Sequence, residues 1–460
     1  MNLAVDDLDK IEGIEILNRD LLPKKFGKVT IDSRQCRKGD LFFAVKGERF
    51  DGHDFLEPVF NKGVGCAVVS KKWFSKNKKR SFNKYSIALV NDPLTALGSL
   101  ANIYRRKFLI PIIAVAGSNG KTTAKDYIAH VLSQKYNVLK TEGNYNNAFG
   151  VPLTLFRLNK EHDIAVVELG TNHFGEVRQL SEIAEPQLGL ITNIGKEHLE
   201  FLKDINGAAK AECELVEYLD SHFGMFFLNN DDRLLVKNTR KININVFSYG
   251  SHGNSDVEGK LLGFDGFYAV MQVTYGKTKF RARLNEIGRQ SFNAALAASA
   301  VGLYFEVPPG KIKKAISGYR IESGKRNKLR NINGIWVIDD SYNSNPDSVK
   351  VALENLKSYK VKGSKYIVLG DMLELGRVSK KEHTETGKLV KKMKFNNLFT
   401  YGKESFNTFR GAKGIKNDFH FEDKKVLADT LRVNMKKGDL ILLKGSRGMK
   451  MEEILELISK

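Results

Sequence analysis

Ile112-Ile113-Ala114-Val115-Ala116-Gly117-Ser118-Asn119-Gly120-Lys121-Thr122-Thr123 decides how this chain is read. The five apolar residues have the composition of a buried strand. Gly117 to Gly120 make a turn. A helical pattern follows in Asp126-Tyr127-Ile128-Ala129-His130-Val131-Leu132. Strand, glycine loop and helix, in that order, turn a glycine motif into a phosphate site. Glycine lets backbone N–H groups close around phosphate oxygens. The helix N-terminus adds partial positive charge. Lys121 can reach the β- and γ-phosphates, and the Thr122 hydroxyl can ligate Mg²⁺. The spacing departs from the usual phosphate loop, which has glycine where Val115 stands, so the first glycine here is Gly117. The alternative is a tight strand-to-helix turn with a chance lysine; the full context favours the phosphate site.

A chain of 460 residues predicts about three domains, and 42% hydrophobic content suffices for their cores. The apolar run Leu109–Ala116 is far too short to span a bilayer. The opening Met1-Asn2-Leu3-Ala4-Val5-Asp6-Asp7 has neither a basic nor an apolar signal region, so we expect no signal peptide and no membrane insertion. Cys36, Cys66 and Cys213 are too few and too scattered for a disulfide framework or a zinc site. We expect free, partly buried thiols in a reducing cytoplasm. The net charge of +21 could serve nucleic acid, an anionic membrane or small polyanions. Its lysines are spread out, at Lys24-Lys25, Lys71-Lys72, Lys78-Lys79-Arg80, Lys380-Lys381 and Lys391-Lys392. No dense arm or aromatic-interleaved stripe is present, so the charge favours nucleotide substrates and no nucleic-acid partner.

The stretch to residue 90 reads as short strands around one or two helices, with strands at Lys28–Ile31, Leu41–Val45 and Cys66–Val69. Lys71 to Lys84 reads as a surface excursion, and Leu94 to Tyr104 as a helix. The middle section, 91–318, alternates strands and helices as a parallel sheet requires. Its further strands are Ile164–Glu168 and Leu188–Asn193. Residues 223–285 look more antiparallel, with runs at Val246–Tyr249 and Tyr268–Val273. A third unit, 319–460, has strands at Ile335–Asp339, Tyr366–Leu369 and Leu440–Leu443. Each ends in polar residues: Asp340-Ser341-Tyr342-Asn343, Gly370-Asp371 and Lys444-Gly445-Ser446-Arg447. Open α/β sheets bind ligands at that edge, although ordinary turn chemistry also places such residues there.

Glu168 sits where a buried strand ends, and a carboxylate there can hold Mg²⁺ beside a phosphate loop. Taken alone it could equally cap a helix or pair with a cation. His198 follows the strand-end run Ile191-Thr192-Asn193-Ile194-Gly195, and Lys210 lies in the helical stretch Ala208-Ala209-Lys210-Ala211-Glu212. Singly, neither carries a function.

Together these residues resemble the Mur ligase family, the cytoplasmic ATP-dependent amide ligases of peptidoglycan precursor synthesis, over nearly the whole chain. Asp32-Ser33-Arg34 and the run from Gly39 to His53 are similar to the family's UDP-sugar-binding start. The segment from Thr141 to Asn147, Glu168-Leu169-Gly170-Thr171-Asn172 and His198-Leu199-Glu200 match the middle domain. The segments Asp340 to Ser348, Gly370-Asp371-Met372-Leu373-Glu374-Leu375-Gly376 and Lys444 to Met449 match the branch that adds D-alanyl-D-alanine.

The resemblance implies an α/β fold of three domains: a small mixed N-terminal substrate domain (1–90), a central P-loop ATPase-like parallel-sheet domain (91–318) and a C-terminal Rossmann-like domain (319–460). It implies ATP and Mg²⁺ as cofactors, and UDP-N-acetylmuramoyl-tripeptide and D-alanyl-D-alanine as partners of a monomer. Lys121, Glu168, His198 and Lys210 are then the catalytic set. Thr122 and Glu168 would hold one Mg²⁺, and His198 and Lys210, the latter as a carbamate, a second. Nucleotide contacts would come from Gly117, Ser118, Asn119, Gly120, Lys121, Thr122 and Thr123, with Arg326 and Asp340 from the third domain. Ser33 and Arg34 would lie near the UDP group, and Asn144, Asn147, Asn343, Asn345, Lys444 and Arg447 near the substrates. Where the family has His-Asn after Gly288-Arg289, this chain has Gln290-Ser291-Phe292-Asn293, so Asn293 is the adenine candidate by a shifted register. The rivals are a folylpolyglutamate synthetase or sister muramyl ligase, and a basic nucleotide- or nucleic-acid-binding module without ligase activity.

Overall fold

The structure is a computed structural model that describes residues 3–47, 50–77, 82–320 and 328–459. Arg326, Glu48-Arg49 and Lys78-Lys79-Arg80, all read above, lie outside the described residues. Among those described, the strands form three sheets that follow one another along the chain, with helices between them. The architecture is α/β, as expected.

The first sheet has five strands in the order Glu15–Leu17, Ile87–Val90, Cys66–Ser70, Leu41–Phe43, Val29–Thr30, parallel except for the first pair. Lys71–Lys76 is a short helix begun by the Ser70 hydroxyl rather than an irregular excursion. The second sheet has nine strands. Its parallel part runs Val138–Lys140, Ile164–Glu168, Ile112–Ala116, Leu188–Ile191, Met225–Asn229, Asn245–Gly250 and Val257–Asp265. Tyr268–Tyr275 and Thr278–Ile287 then close it as an antiparallel meander. The antiparallel reading of 223–285 therefore holds only from residue 257 onward. Met225–Asn229 and Asn245–Gly250 are parallel because the helix Arg233–Thr239 carries the chain back between them as a crossover. Polar Asn245 and Ser248 hid that strand's burial pattern. The third sheet runs Lys328–Ile332, Ile335–Asp340, Leu440–Lys444, Lys365–Gly370, Asn397–Tyr401, Asn417–Phe421, with only the first pair antiparallel.

Central strands explain the uninterrupted apolar runs. Ile112, Ala114 and Ala116 pack into one hydrophobic cluster, Ile113 and Val115 into another on the opposite face. Ile338, Leu440 and Leu442 likewise oppose Val337, Ile441 and Leu443 in the third unit. A parallel strand covered by helices on both faces needs apolar side chains at every position. Each buried aliphatic side chain contributes about 2 kcal/mol. These cores fix the carboxyl ends of the strands, where the chemistry stands. The three cysteines are free and buried, Cys66 completely and Cys36 and Cys213 with 6% and 5% of their surface exposed. Among the described residues no helix is long and apolar enough to cross a membrane.

Candidate active site

The loop after Ile112–Ala116 is shaped by what it touches. Gly117 has φ +118°, and a Cβ there would fall 2.3 Å from the Thr192 Oγ1, so only glycine fits. Its N–H donates to the buried Glu212 Oε2 at 2.6 Å. The Ser118 hydroxyl accepts from the Gly195 N–H at 2.7 Å. The Asn119 carbonyl accepts from Thr192 Oγ1 (2.8 Å) and Asn193 Nδ2 (2.7 Å). Gly120, at φ +82°, turns the chain into the helix Lys121–Leu132. That helix presents its unpaired N-terminal N–H groups at the strand edge.

Lys121 Nζ donates to the Gly117 carbonyl at 2.5 Å and lies 3.6 Å from Glu197 Oε2. Burial works against its charge, but Glu197, Glu212 and Glu168 outweigh it and hold its pKa above the usual lysine value. Glu212 shows the converse. Burial first, and then the neighbouring Glu197, push its carboxyl well above the usual range, against Lys121 and the Gly117 N–H. Glu197 Oε1 and Glu212 Oε1 are buried and take no hydrogen bond from another residue's donor, but the two carboxyl groups stand within hydrogen-bonding reach of each other, so the proton Glu212 keeps can lie between them. Neither glutamate was singled out by sequence. Each looks like a surface charge until the fold brings the Leu188–Ile191 strand end and the Ile205–Ser221 helix against the loop.

Glu168 closes the opposite side. Its Oε1 accepts from Thr122 Oγ1 and from Asn146 Nδ2, both at 2.8 Å. Its Oε2 is buried without a hydrogen-bond partner, 3.8 Å from Lys125 Nζ. A hydroxyl beside a carboxylate with one free oxygen suits a hard cation such as Mg²⁺, which takes one or two protein oxygens and completes its shell with phosphate and water. Among the described residues no cluster of three or more His, Cys, Asp or Glu side chains could hold a metal ion. The two residues read as the second position make other contacts. His198, at φ +45°, has its Nδ1 2.7 Å from Glu374 Oε2 of the third unit. Lys210 is exposed, with Nζ 5.7 Å from the Phe174 ring centroid.

The third unit meets the loop directly. Asn345 Oδ1 caps the helix Pro346–Ser358 and its Nδ2 donates to Asn119 Oδ1 at 3.0 Å. Asp347 Oδ2 accepts from the Lys196 N–H at 2.6 Å, and Lys196 Nζ pairs with Glu382 at 2.8 Å. Lys444 is 2% exposed; it donates to Asp340 Oδ2 at 2.7 Å and to the Asn343 carbonyl at 2.8 Å. Burial pushes the Asp340 carboxyl up more than Lys444 draws it down. Arg447 pairs with Glu452 at 2.6 Å.

Asn144 is exposed, and Asn147 Oδ1 accepts from the N–H groups of Phe149 and Gly150 as a turn cap. Asn146, passed over by sequence, is the one that reaches Glu168. Thr123 is half-buried, and Asn293 is exposed on the helix Arg289–Tyr304. Gln290 instead accepts from Asn355 of the third unit at 2.8 Å. In the first unit, Ser33 and Arg34 stand on a short turn whose carbonyls accept from Lys62 Nζ at 2.8 and 3.0 Å. The Arg34 guanidinium lies on Asp32, whose carboxyl it holds down at about 2.

Comparison with known proteins covers the same three units. The profile of the Mur ligase middle domain matches residues 115–302, that of the glutamate ligase domain residues 325–447, and that of the Mur ligase catalytic domain residues 25–105. The chain is 35% identical over 431 residues to the UDP-N-acetylmuramoyl-tripeptide--D-alanyl-D-alanine ligase of Bacillus subtilis, covering 93% of this chain and 92% of that one. It is 32% identical to the Escherichia coli enzyme of the same description, over 94% and 93%. The crystal structure of MurF from Acinetobacter baumannii superposes with a TM-score of 0.88 at 28% identity, covering 100% and 99%. That of the MurF ligase from Thermotoga maritima in complex with ADP gives 0.83 at 26%, covering 94% and 97%.

Proposed function

The chain belongs to the Mur ligase family, and from that premise we propose that it joins D-alanyl-D-alanine to UDP-N-acetylmuramoyl-tripeptide with ATP, releasing ADP and phosphate. The observation that carries this is full-length identity, 35% over 93% of the chain, to an enzyme of that description. The branch-specific segments around Asn345 and Asp371 agree with it. So does a phosphate cradle with an ordered lysine.

A carboxylate is a poor electrophile at neutral pH. In our reading its oxygen attacks the γ-phosphorus of ATP, and ADP leaves. The free amine of D-alanyl-D-alanine then attacks the acyl carbon, loses its proton, and phosphate departs. Lys121 would leave the Gly117 carbonyl for the γ-phosphoryl oxygens and offset the charge that develops there. Ser118, Asn119, Gly120 and Thr123 would line the phosphates with backbone N–H groups. Thr122 and Glu168 would hold Mg²⁺, which when bound neutralises phosphate charge. Asn345, bonded to Asn119, would set the third unit against the nucleotide. Lys444 would act through Asp340 rather than on substrate. Residues 1–90 would hold the UDP group through Ser33 and Arg34, residues 91–318 the ATP, and residues 319–460 the incoming dipeptide. Closure of the third unit would exclude water from the acyl phosphate. We place the enzyme in the cytoplasm as a monomer.

The test offers the protein ATP, Mg²⁺ and each UDP-muramoyl-tripeptide, ending in lysine or diaminopimelate. D-Alanyl-D-alanine, glutamate or a diamino acid then serves as second substrate. A pentapeptide nucleotide and stoichiometric phosphate are expected with D-alanyl-D-alanine alone. Turnover only with glutamate or a diamino acid would transfer the chain to a sister ligase.

A further inference from the structure

Lys125 is a lysine where the core should not have one. It is 1% exposed, one helical turn beyond Lys121, on the face of the helix that looks back at the sheet. Its ammonium is not idle. Nζ donates to the Thr141 carbonyl at 2.7 Å, lies 3.2 Å from Asp126 Oδ1 and 3.8 Å from Glu168 Oε2. Asp126 also pairs with Lys140 at 3.1 Å. Thr141 in turn takes the Glu168 N–H on its Oγ1 at 3.0 Å. Glu168 Oε2 has no hydrogen bond, so Lys125 is the nearest cation to the one free oxygen of the carboxylate.

The two lysines on this helix differ in freedom. Lys121 borders the loop and can exchange the Gly117 carbonyl for a phosphate oxygen. Lys125 is walled in and tied to a backbone carbonyl, so its position is fixed. A divalent cation settling on Glu168 Oε2 would lie within a few ångströms of that fixed charge. In a buried setting this repulsion is scarcely screened. Nucleotide phosphates bring enough negative charge to reverse it.

We propose that Lys125 is a positioning residue that acts through Glu168, holding the carboxylate in place while keeping a divalent cation off its free oxygen until nucleotide phosphates arrive. The metal then enters with the nucleotide rather than before it. This rests on the reading of Glu168 as a metal ligand.

The test is Mn²⁺ binding followed by electron paramagnetic resonance, with and without ADP, on the intact protein. Lys125→Met removes the charge and keeps the side-chain length. Lys125→Gln removes the charge and keeps a donor for the Thr141 carbonyl. Both are expected to bind Mn²⁺ without nucleotide at least about tenfold more tightly than wild type, while affinity in the presence of ADP moves far less. Lys125→Arg, still charged, should behave as wild type. A purely structural lysine would give weaker binding in every state. Unchanged or weaker nucleotide-free binding in both neutral variants overturns the proposal, and so does failure of both to fold, which would assign the lysine to the scaffold. Glu168→Gln separates the two readings. If it leaves Mn²⁺ binding with ADP untouched, the ligand assignment of Glu168 has failed and not the charge argument.

Discussion

The strand ends of the middle and third units carry similar residues and use them differently. Around Lys121 the charges are left open. Glu168 Oε2 is buried without a hydrogen bond, Glu197 and Glu212 have only each other for their Oε1 atoms, and Lys121 rests on a backbone carbonyl beside Glu197. Around Lys444 most charges are paired within the unit, although Glu452 Oε2 and Ser344 Oγ are buried without partners. Its ammonium is shared between Asp340 and the Asn343 carbonyl, Arg447 is taken by Glu452, and Asn345 caps a helix. Buried polar groups without partners are costly, so a site that keeps several is built to receive something. A site that satisfies its own charges is built to hold shape. In our reading the middle unit holds the nucleotide, while the paired charges of the third unit shape the edge that would take the dipeptide.

The strongest way to break that contrast is Lys121→Ala. Ligation should fall by on the order of 10³-fold or more, because the cation facing the transferring phosphoryl is gone. Its loss also leaves the buried Glu197 without its cation, so thermal unfolding is measured beside turnover to separate a missing charge from a weakened fold. Turnover within tenfold of wild type would contradict its role. Lys444→Met should do the reverse. It strands a buried Asp340 carboxyl, at a cost of about 3–5 kcal/mol, and shows first in thermal unfolding. If unfolding is unmoved while activity vanishes, Lys444 belongs to the reacting groups and the contrast fails.

How far the sequence displays this depends on range. The cradle was legible because strand, glycines, lysine and helix are adjacent in the chain. Glu168 was legible because it ends an apolar run. Glu197 and Glu212 were not: they become site residues only when the Leu188–Ile191 strand lies beside Ile112–Ala116 and the Ile205–Ser221 helix packs against it. Lys125 read as one more lysine among many, since only the tertiary fold shows its burial. The same limit applies to Asn245–Gly250, whose direction is set by a crossover rather than by its own residues. His198 and Lys210 come from family pattern alone; their neighbours in the fold are Glu374 and Phe174.

A subtler contrast lies in pH. The folded chain holds the Glu212 proton more tightly than the unfolded chain would. Stability from this group is therefore fully present below the ordinary carboxylate value, and is lost as pH rises through the elevated one. Glu212→Gln should flatten that alkaline loss in melting curves; an unchanged pH profile would remove Glu212 from the account. The smallest effect is expected at Arg34. Its pair with Asp32 is exposed and screened by water, so Arg34→Ala should leave stability essentially unchanged. KM for the UDP substrate should nevertheless rise several-fold. An unaltered KM would detach the Asp32–Arg34 turn from substrate.

The central claim is that the cradle at Lys121 passes a phosphoryl group to a peptide carboxylate. It is tested most directly with a tripeptide substrate carrying ¹⁸O in its terminal carboxyl group. If the carboxylate oxygen attacks phosphorus, one labelled oxygen leaves with each phosphate released, and mass spectrometry of the phosphate will show it. Unlabelled phosphate alongside full pentapeptide formation would contradict the account.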